Sequence, residues 1–311
     1  MINTLTLNPA VDKILYVDEF KRNITTRIKE VKDTIGGKGT HVSIDLSIMG
    51  DSSRAFGMAH GPTGKKVIEM LGEYDGLDVR FIYREEGDTR TNYLLNEKNG
   101  DSTLITEKGM QLSEKDIEDI TGCLEDNTDK GDFLALSGDA SNCPDPYVYN
   151  KLLQALEEKE YHVFLDTSGE TLKKCIEYRP FLIKPNLDEL SYLTGREVED
   201  DDAEIVKAIS ELDRYMIPVV AVSLGGRGSI VRAGSTVYKV DPPRIDPVNT
   251  VGCGDCYLAG LLHGFSRGME IEDVLAYATG VSAAAAMSEL SAGFDFGTAK
   301  EFEDKVVIKK L

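Results

Sequence analysis

Apolar positions along the chain gather into short, β-branched runs separated by segments with helical spacing. Residues 5–7, 133–136, 162–165, 181–183 and 218–222 are near-continuous apolar stretches, the pattern of strands buried on both faces of a parallel sheet. Between them, 146–158, 187–193 and 203–215 repeat their apolar positions at helical intervals. Strands and helices in alternation predict βαβ units, hence an α/β fold whose mostly parallel sheet is covered by helices on both sides. In such sheets ligands gather beyond the carboxyl ends of the strands.

Two stretches break this alternation. Residues 14–32 are polar, strand-like and interrupted. Residues 90–106 alternate around Asn96-Glu-Lys-Asn-Gly-Asp101, a turn signal that predicts a hairpin with one face left to cover something. Together they predict a small lid sheet, occupying about 13–34 and 88–107, beside one domain that spans 1–311.

The richest local signal is Asn249-Thr-Val-Gly-Cys-Gly-Asp-Cys256, followed by Leu258, Leu261, Leu262 and Phe265 at helical spacing. Gly252 and Gly254 allow close backbone approach. The helix that follows would offer its unpaired amides and positive dipole end to an anion. Asp255 falls inside that turn, as a functional carboxylate or as an ordinary cap.

Other motifs lie where the predicted strands end. Asn8-Pro-Ala-Val-Asp12 follows the first one and puts a carboxylate at its carboxyl end. Gly36-Gly-Lys-Gly39 precedes a helical pattern through Val42, Leu46 and Met49, a second anion-pocket candidate. Thr89-Arg-Thr-Asn92 places Arg90 and Asn92 on one side of a strand, with Arg90 suited to phosphate. Lys184-Pro-Asn-Leu-Asp-Glu opens a helix in which Asn186 and Glu189 could orient water around Mg²⁺ or form a capping box. Ser223-Leu-Gly-Gly-Arg-Gly228 is a glycine turn before a strand at 229–231, suited to a nucleotide or to a plain hairpin. Ala59-His-Gly-Pro-Thr-Gly-Lys-Lys66 is a decoy for a P-loop. It puts Lys66 where the Mg²⁺-binding hydroxyl belongs, and Pro62 removes an amide.

Composition narrows the partners. A net charge of −19 argues against nucleic acid and anionic membrane, which demand positive potential. With 41% hydrophobic and 29% charged residues, the chain reads as a soluble globular protein. No signal peptide or transmembrane run is visible, which predicts a cytoplasmic location. Five cysteines, at 123, 143, 175, 253 and 256, form no disulfide framework. Cys253 and Cys256 make a Cys-x-x-Cys, but without a second pair or a nearby His to suggest zinc.

The motifs occur in a fixed order: Asn-Pro-Ala-x-Asp, Gly-Gly-Lys-Gly, Thr-Arg-x-Asn, Lys-Pro-Asn-x-x-Glu, Ser-Leu-Gly-x-x-Gly and Gly-x-Gly-Asp, between residues 8 and 255. In this order the chain resembles, essentially end to end, the ribokinase (carbohydrate kinase) superfamily and its phosphosugar kinase branch. The resemblance implies a ribokinase-like three-layer sandwich with a small β-sheet lid, and ATP-dependent phosphoryl transfer with Mg²⁺ to a phosphorylated ketohexose. Fructose 1-phosphate comes first as substrate and tagatose 6-phosphate second. The alternative of another class is a sugar-phosphate-binding regulator without catalysis. By resemblance, Asp255 would be the catalytic base and the amides of Gly252, Cys253 and Gly254 an anion hole. Asp12, Gly37, Lys38, His41, Asn92 and Ser137 would face the sugar, with Lys38 and Arg90 near its phosphate. Lys184, Ser223, Gly225 and Gly228 would lie by ATP, and Asn186 and Glu189 by Mg²⁺. A homodimer through the lid is also expected.

Three positions depart from the branch. His41 stands where it usually has a sugar-contacting Asn. Ser137-Gly-Asp-Ala-Ser-Asn-Cys-Pro144 replaces Ser-Gly-Ser-x-Pro. Cys253 and Cys256 replace the small residues around Gly-x-Gly-Asp.

Overall fold

A computed structural model of the chain describes every residue except Asp139, Pro144 and Pro146. Its strands are β1 (Ile2–Thr6), β2 (Ala10–Val17), β3 (Glu30–Gly36), β4 (Ser53–His60), β5 (Leu77–Arg84), β6 (Arg90–Glu97), β7 (Ser102–Thr106), β8 (Phe133–Ser137), β9 (His162–Asp166), β10 (Leu182–Ile183), β11 (Val219–Ser223), β12 (Ser229–Ala233), β13 (Thr236–Asp241) and β14 (Val307–Lys310). The helices are α1 (Lys38–Ile48), α2 (Gly61–Leu71), α3 (Glu114–Asn127), α4 (Val148–Ala155), α5 (Gly169–Cys175), α6 (Leu187–Thr194), α7 (Asp202–Ser210), α8 (Cys253–Ser266), α9 (Ile271–Ala285) and α10 (Phe296–Glu303).

The central sheet has ten strands in the order β14-β13-β12-β11-β10-β9-β8-β1-β4-β5. From β11 to β5 neighbours pair parallel, while β12, β13 and β14 extend one edge antiparallel. Side chains of a strand alternate between faces, and the core divides accordingly. Leu134, Leu136, Val220 and Val222 pack with Ile120, Tyr149, Leu190 and Ile209 on one face. Ala135, Val219 and Ala221 pack with α1, α8 and α9 on the other. These are the three layers that the hydrophobic pattern predicts.

The expected lid is also present as a separate sheet, β3-β2-β6-β7. The hairpin over 96–101 closes as read, with the Glu97 amide donating to Asp101 O at 2.8 Å. Val11 and Ile35 of this sheet pack on Ile44, Val67 and Leu71 of α1 and α2. Its outer strand β7 is exposed along its length.

Some expectations shift. Asp12 does not sit in a turn ending the first strand: Pro9 is followed at once by β2, so Asp12 is a lid-strand residue paired with Thr34 and Asn92. The helix expected over 203–215 ends at Ser210, with a short 3₁₀ turn at Asp213–Tyr215. The helix expected from Pro146 begins, among the described residues, at Val148. The P-loop decoy is the β4–α2 turn, where the Thr63 amide and hydroxyl bind Asp88. Among the described residues no helix is long and apolar enough to cross a membrane.

Candidate active site

Two helix N-termini meet beside the carboxyl ends of the central strands. α1 starts after Gly37 and α8 after Gly252. The two helices run side by side in the same direction, because His41 of α1 bonds Asp255 at the start of α8, and Asp51 just beyond α1 bonds His263 near the end of α8. Both positive dipole ends therefore point into one cleft.

The turn opening α8 is tightly built. Gly252 has φ 84° and a Cβ there would lie 1.7 Å from Ser291 O, so only glycine fits. Asp255 N–H donates to Gly252 O at 2.9 Å, and Cys253 N–H reaches Thr250 O at a long 3.4 Å. Among the described residues, the amides of Gly252 and Gly254 find no acceptor. Such amides form an anion cradle. The Lys184 ammonium adds positive charge, 3.4 Å from where a Cβ of Gly254 would stand.

Asp166, at the end of β9, is the residue around which the cations assemble. It is buried and lies 3.1 Å from Lys184 Nζ and 3.5 Å from Lys38 Nζ. Burial alone would raise its pKa, but Lys184 and Lys38 overcome that and hold it below the usual carboxylate range. Lys38 is raised, first by Asp166 and against desolvation, then by Asp255 and Glu189. Three carboxylates and two ammonium groups thus share the cleft, a balance that an arriving phosphate would shift toward Lys38 and Lys184.

Toward the lid, Asp12 accepts from Asn92 Nδ2 at 2.7 Å and both side chains are buried. Arg90 donates to Asn8 O at 3.0 Å, tying β6 to the segment after β1. Ser137, at the end of β8, has a buried hydroxyl with no partner among the described residues. Asp12, Arg90 and Asn92 thus lie on the lid strands, Gly37, Lys38 and His41 at the start of α1, and Ser137 at the end of β8 beside Asp166. Asp139 and Pro144, within the altered 137–144 segment, lie outside the described residues.

On the other side opens a cavity of about 700 Å³, lined by Ser223, Gly225, Gly228, Cys253 and Gly254. Gly228, φ 79°, passes so close to Val240 O that a Cβ would fall 2.0 Å away. The far wall, from Thr279 to Ala286 on and just beyond α9, has no counterpart among the sequence motifs. Thr279 Oγ1 there is buried without a partner among the described residues, an orphan that a ligand hydroxyl or ring nitrogen would satisfy. Size, apolar lining and orphaned hydroxyl fit an adenine nucleotide.

Asn186 and Glu189 form the capping box: Asn186 Oδ1 accepts from Glu189 N–H at 2.8 Å, and Glu189 Oε2 from Asn186 N–H at 2.9 Å. Burial raises Glu189, against the Asn186 amide that lowers it. One carboxylate and one amide suit Mg²⁺ held through its own waters and nucleotide phosphates. Among the described residues no cluster of three or more metal-ligating side chains occurs.

The two cysteines of the α8 turn diverge. Cys253 Sγ donates to Asn249 O, and Cys256 Sγ to Asp45 Oδ2 at 2.9 Å. Burial pushes Cys253 up to about 11 and Cys256 well above its usual value. Low-pKa thiolate chemistry does not suit either thiol.

Residues 5–294 match the pfkB family of carbohydrate kinases. Among solved structures, a phosphofructokinase candidate from Staphylococcus aureus is 29% identical over 100% of this chain and 99% of its own, with a TM-score of 0.86. A possible 1-phosphofructokinase from Thermotoga maritima is 25% identical over 100% and 99%, TM-score 0.86. Phosphofructokinase-2 of Escherichia coli shares the fold, with a TM-score of 0.92 at 22% identity over 98% of each chain.

Proposed function

The chain belongs to the pfkB family of carbohydrate kinases, and on that premise we propose that it phosphorylates a phosphorylated ketohexose, fructose 1-phosphate ahead of tagatose 6-phosphate. The observation that carries this reading is the convergence of two helix N-termini, Lys38 and Lys184 on one cleft between the lid and the nucleotide-sized cavity. Such a cleft holds two phosphate groups at once, one arriving with each substrate. The likeness to a possible 1-phosphofructokinase supports the choice of sugar.

In this reading Asp255 takes the proton of the acceptor hydroxyl. The amides of Gly252, Cys253 and Gly254 stabilise charge on the transferring phosphoryl oxygens, the Cys253 amide by giving up its long contact with Thr250 O. Lys184 and the turn from Ser223 through Gly225 to Gly228 hold the nucleotide. Bound Mg²⁺ would neutralise phosphate charge, with Asn186 and Glu189 orienting its waters. Asp12, braced by Asn92, receives a sugar hydroxyl, and Gly37 and Ser137 wall the sugar pocket. Lys38 and Arg90 hold the sugar's existing phosphate. A ketohexofuranose carries a CH₂–O group at each end of its ring, so anchoring one phosphate presents the other hydroxyl to Asp255.

Coupled ADP release with ATP, Mg²⁺ and fructose 1-phosphate, tagatose 6-phosphate, fructose 6-phosphate or fructose tests the reading. Fructose 1-phosphate should give the highest kcat/KM. Fructose should fall about 10- to 150-fold below it, the value of a charge-assisted phosphate contact. Fructose turning over as well as its phosphates would overturn the proposal. The exposed Val31 and Ile105, on one face of the lid sheet, support assembly of two chains through that face. Sedimentation should then read twice 34.2 kDa; a monomer at micromolar concentration would contradict it.

A further inference from the structure

His41 approaches the cleft from the first turn of α1, but its ring does not open toward it. Nδ1 lies 2.8 Å from Asp255 Oδ2 and Nε2 lies 3.0 Å from Ile35 O. Both ring nitrogens are thereby committed, and the side chain is 6% exposed. A carbonyl oxygen only accepts, so Nε2 carries hydrogen. The contact with Asp255 then contains one proton, either on Nδ1 facing a carboxylate or on the carboxyl group facing a neutral ring.

The surroundings decide between the two. Asp12 on the lid strand and Asp45 one turn along α1, its own pKa raised to about 7 by burial, add negative charge to that of Asp255 from α8. Burial pulls the imidazole's pKa down, but the hydrogen bond and charge of Asp255, with Asp12 and Asp45 behind it, carry it up to about 9.

We propose that His41 is a positioning residue which, as an imidazolium, clamps Asp255 by Oδ2 and leaves Oδ1 as the oxygen that receives the acceptor's proton. The inference rests on the reading of Asp255 as the base. In the step, the acceptor O–H bond breaks and its proton moves to Asp255 Oδ1. The freed oxygen forms the new O–P bond, and the bond from the γ-phosphorus to the ADP oxygen breaks. His41 keeps its own proton throughout. The acquired proton then passes from Asp255 to water, which resets the base. A neutral amide at position 41 could hold Asp255 but could not supply the imidazolium charge.

The test uses ¹⁵N-histidine-labelled full-length protein together with steady-state kinetics. The chain has four histidines, and the His41 signals are those lost in His41→Gln. In the wild type they should show both nitrogens protonated through pH 8, and in Asp255→Asn the ring should deprotonate at clearly lower pH. In His41→Gln kcat should fall about tenfold or more with KM for both substrates unchanged. A neutral His41 ring at pH 7 in the wild type, or a wild-type kcat in His41→Gln, overturns the proposal. If His41→Gln does not fold, comparison of the wild-type and Asp255→Asn spectra still decides it. Normal turnover in Asp255→Asn would instead remove the base reading, whereas the ring's protonation state is read independently of turnover.

Discussion

The seam between α1 and α8 contains the same pair twice, and the two copies sit in different surroundings. At the far end His263 Nδ1 lies 2.6 Å from Asp51 Oδ2, as His41 lies 2.8 Å from Asp255 at the near end. Asp51 also takes two bonds from Arg267, at 2.8 and 3.1 Å, and His263 stacks on Tyr277 with ring centroids 4.5 Å apart. Every partner there is protein, and the pair works as a clasp. Asp255 instead has one oxygen bonded to a histidine and sits at a helix start beside amides that find no acceptor among the described residues. A buried acid–base pair alone is thus a poor sign of chemistry; what separates the two is the capacity left unfilled around it.

Substitutions in the far pair should sharpen that contrast, because they should cost stability and spare turnover. Asp51→Ala should have the largest effect, about 3 kcal/mol in denaturant unfolding. That is the low end for breaking a buried ion pair, since Arg267 keeps half its surface in water. His263→Gln, which removes one bond and the stacked ring, should cost about 1 kcal/mol. Arg267→Ala should cost less than about 1 kcal/mol. All three should keep kcat within about twofold of wild type, a difference under about 0.5 kcal/mol. A catalytic loss in Asp51→Ala larger than that in His41→Gln would break the comparison.

Much of this arrangement is legible in the chain, and what is not has physical causes. The parallel strands announce themselves because both faces are buried, which makes their sequences continuously apolar. The α8 turn and the capping box of Asn186 and Glu189 are local, so their geometry follows from neighbouring residues. Asp12 is misplaced on sequence alone because Asn8-Pro9 looks like a turn, although Ala10–Val17 is a strand. Asp166 had a usable signal, a carboxylate at the carboxyl end of a predicted strand, but no motif around it. Thr279 and Ser282 sit in a run of small apolar residues that reads as core, so the α9 wall of the cavity beside the α8 turn leaves no mark. The His41–Asp255 bond joins residues 214 apart, and only the packing of α1 on α8 brings it about.

The account stands or falls on Asp255 as the group that removes the acceptor's proton. The direct measurement is steady-state kinetics of Asp255→Asn with ATP, Mg²⁺ and the best sugar phosphate, alongside its thermal unfolding. The prediction is a kcat lower by about 10²-fold or more, with KM for both substrates within about threefold and an unchanged Tm. An Asp255→Asn variant that turns over at close to the wild-type rate would contradict it.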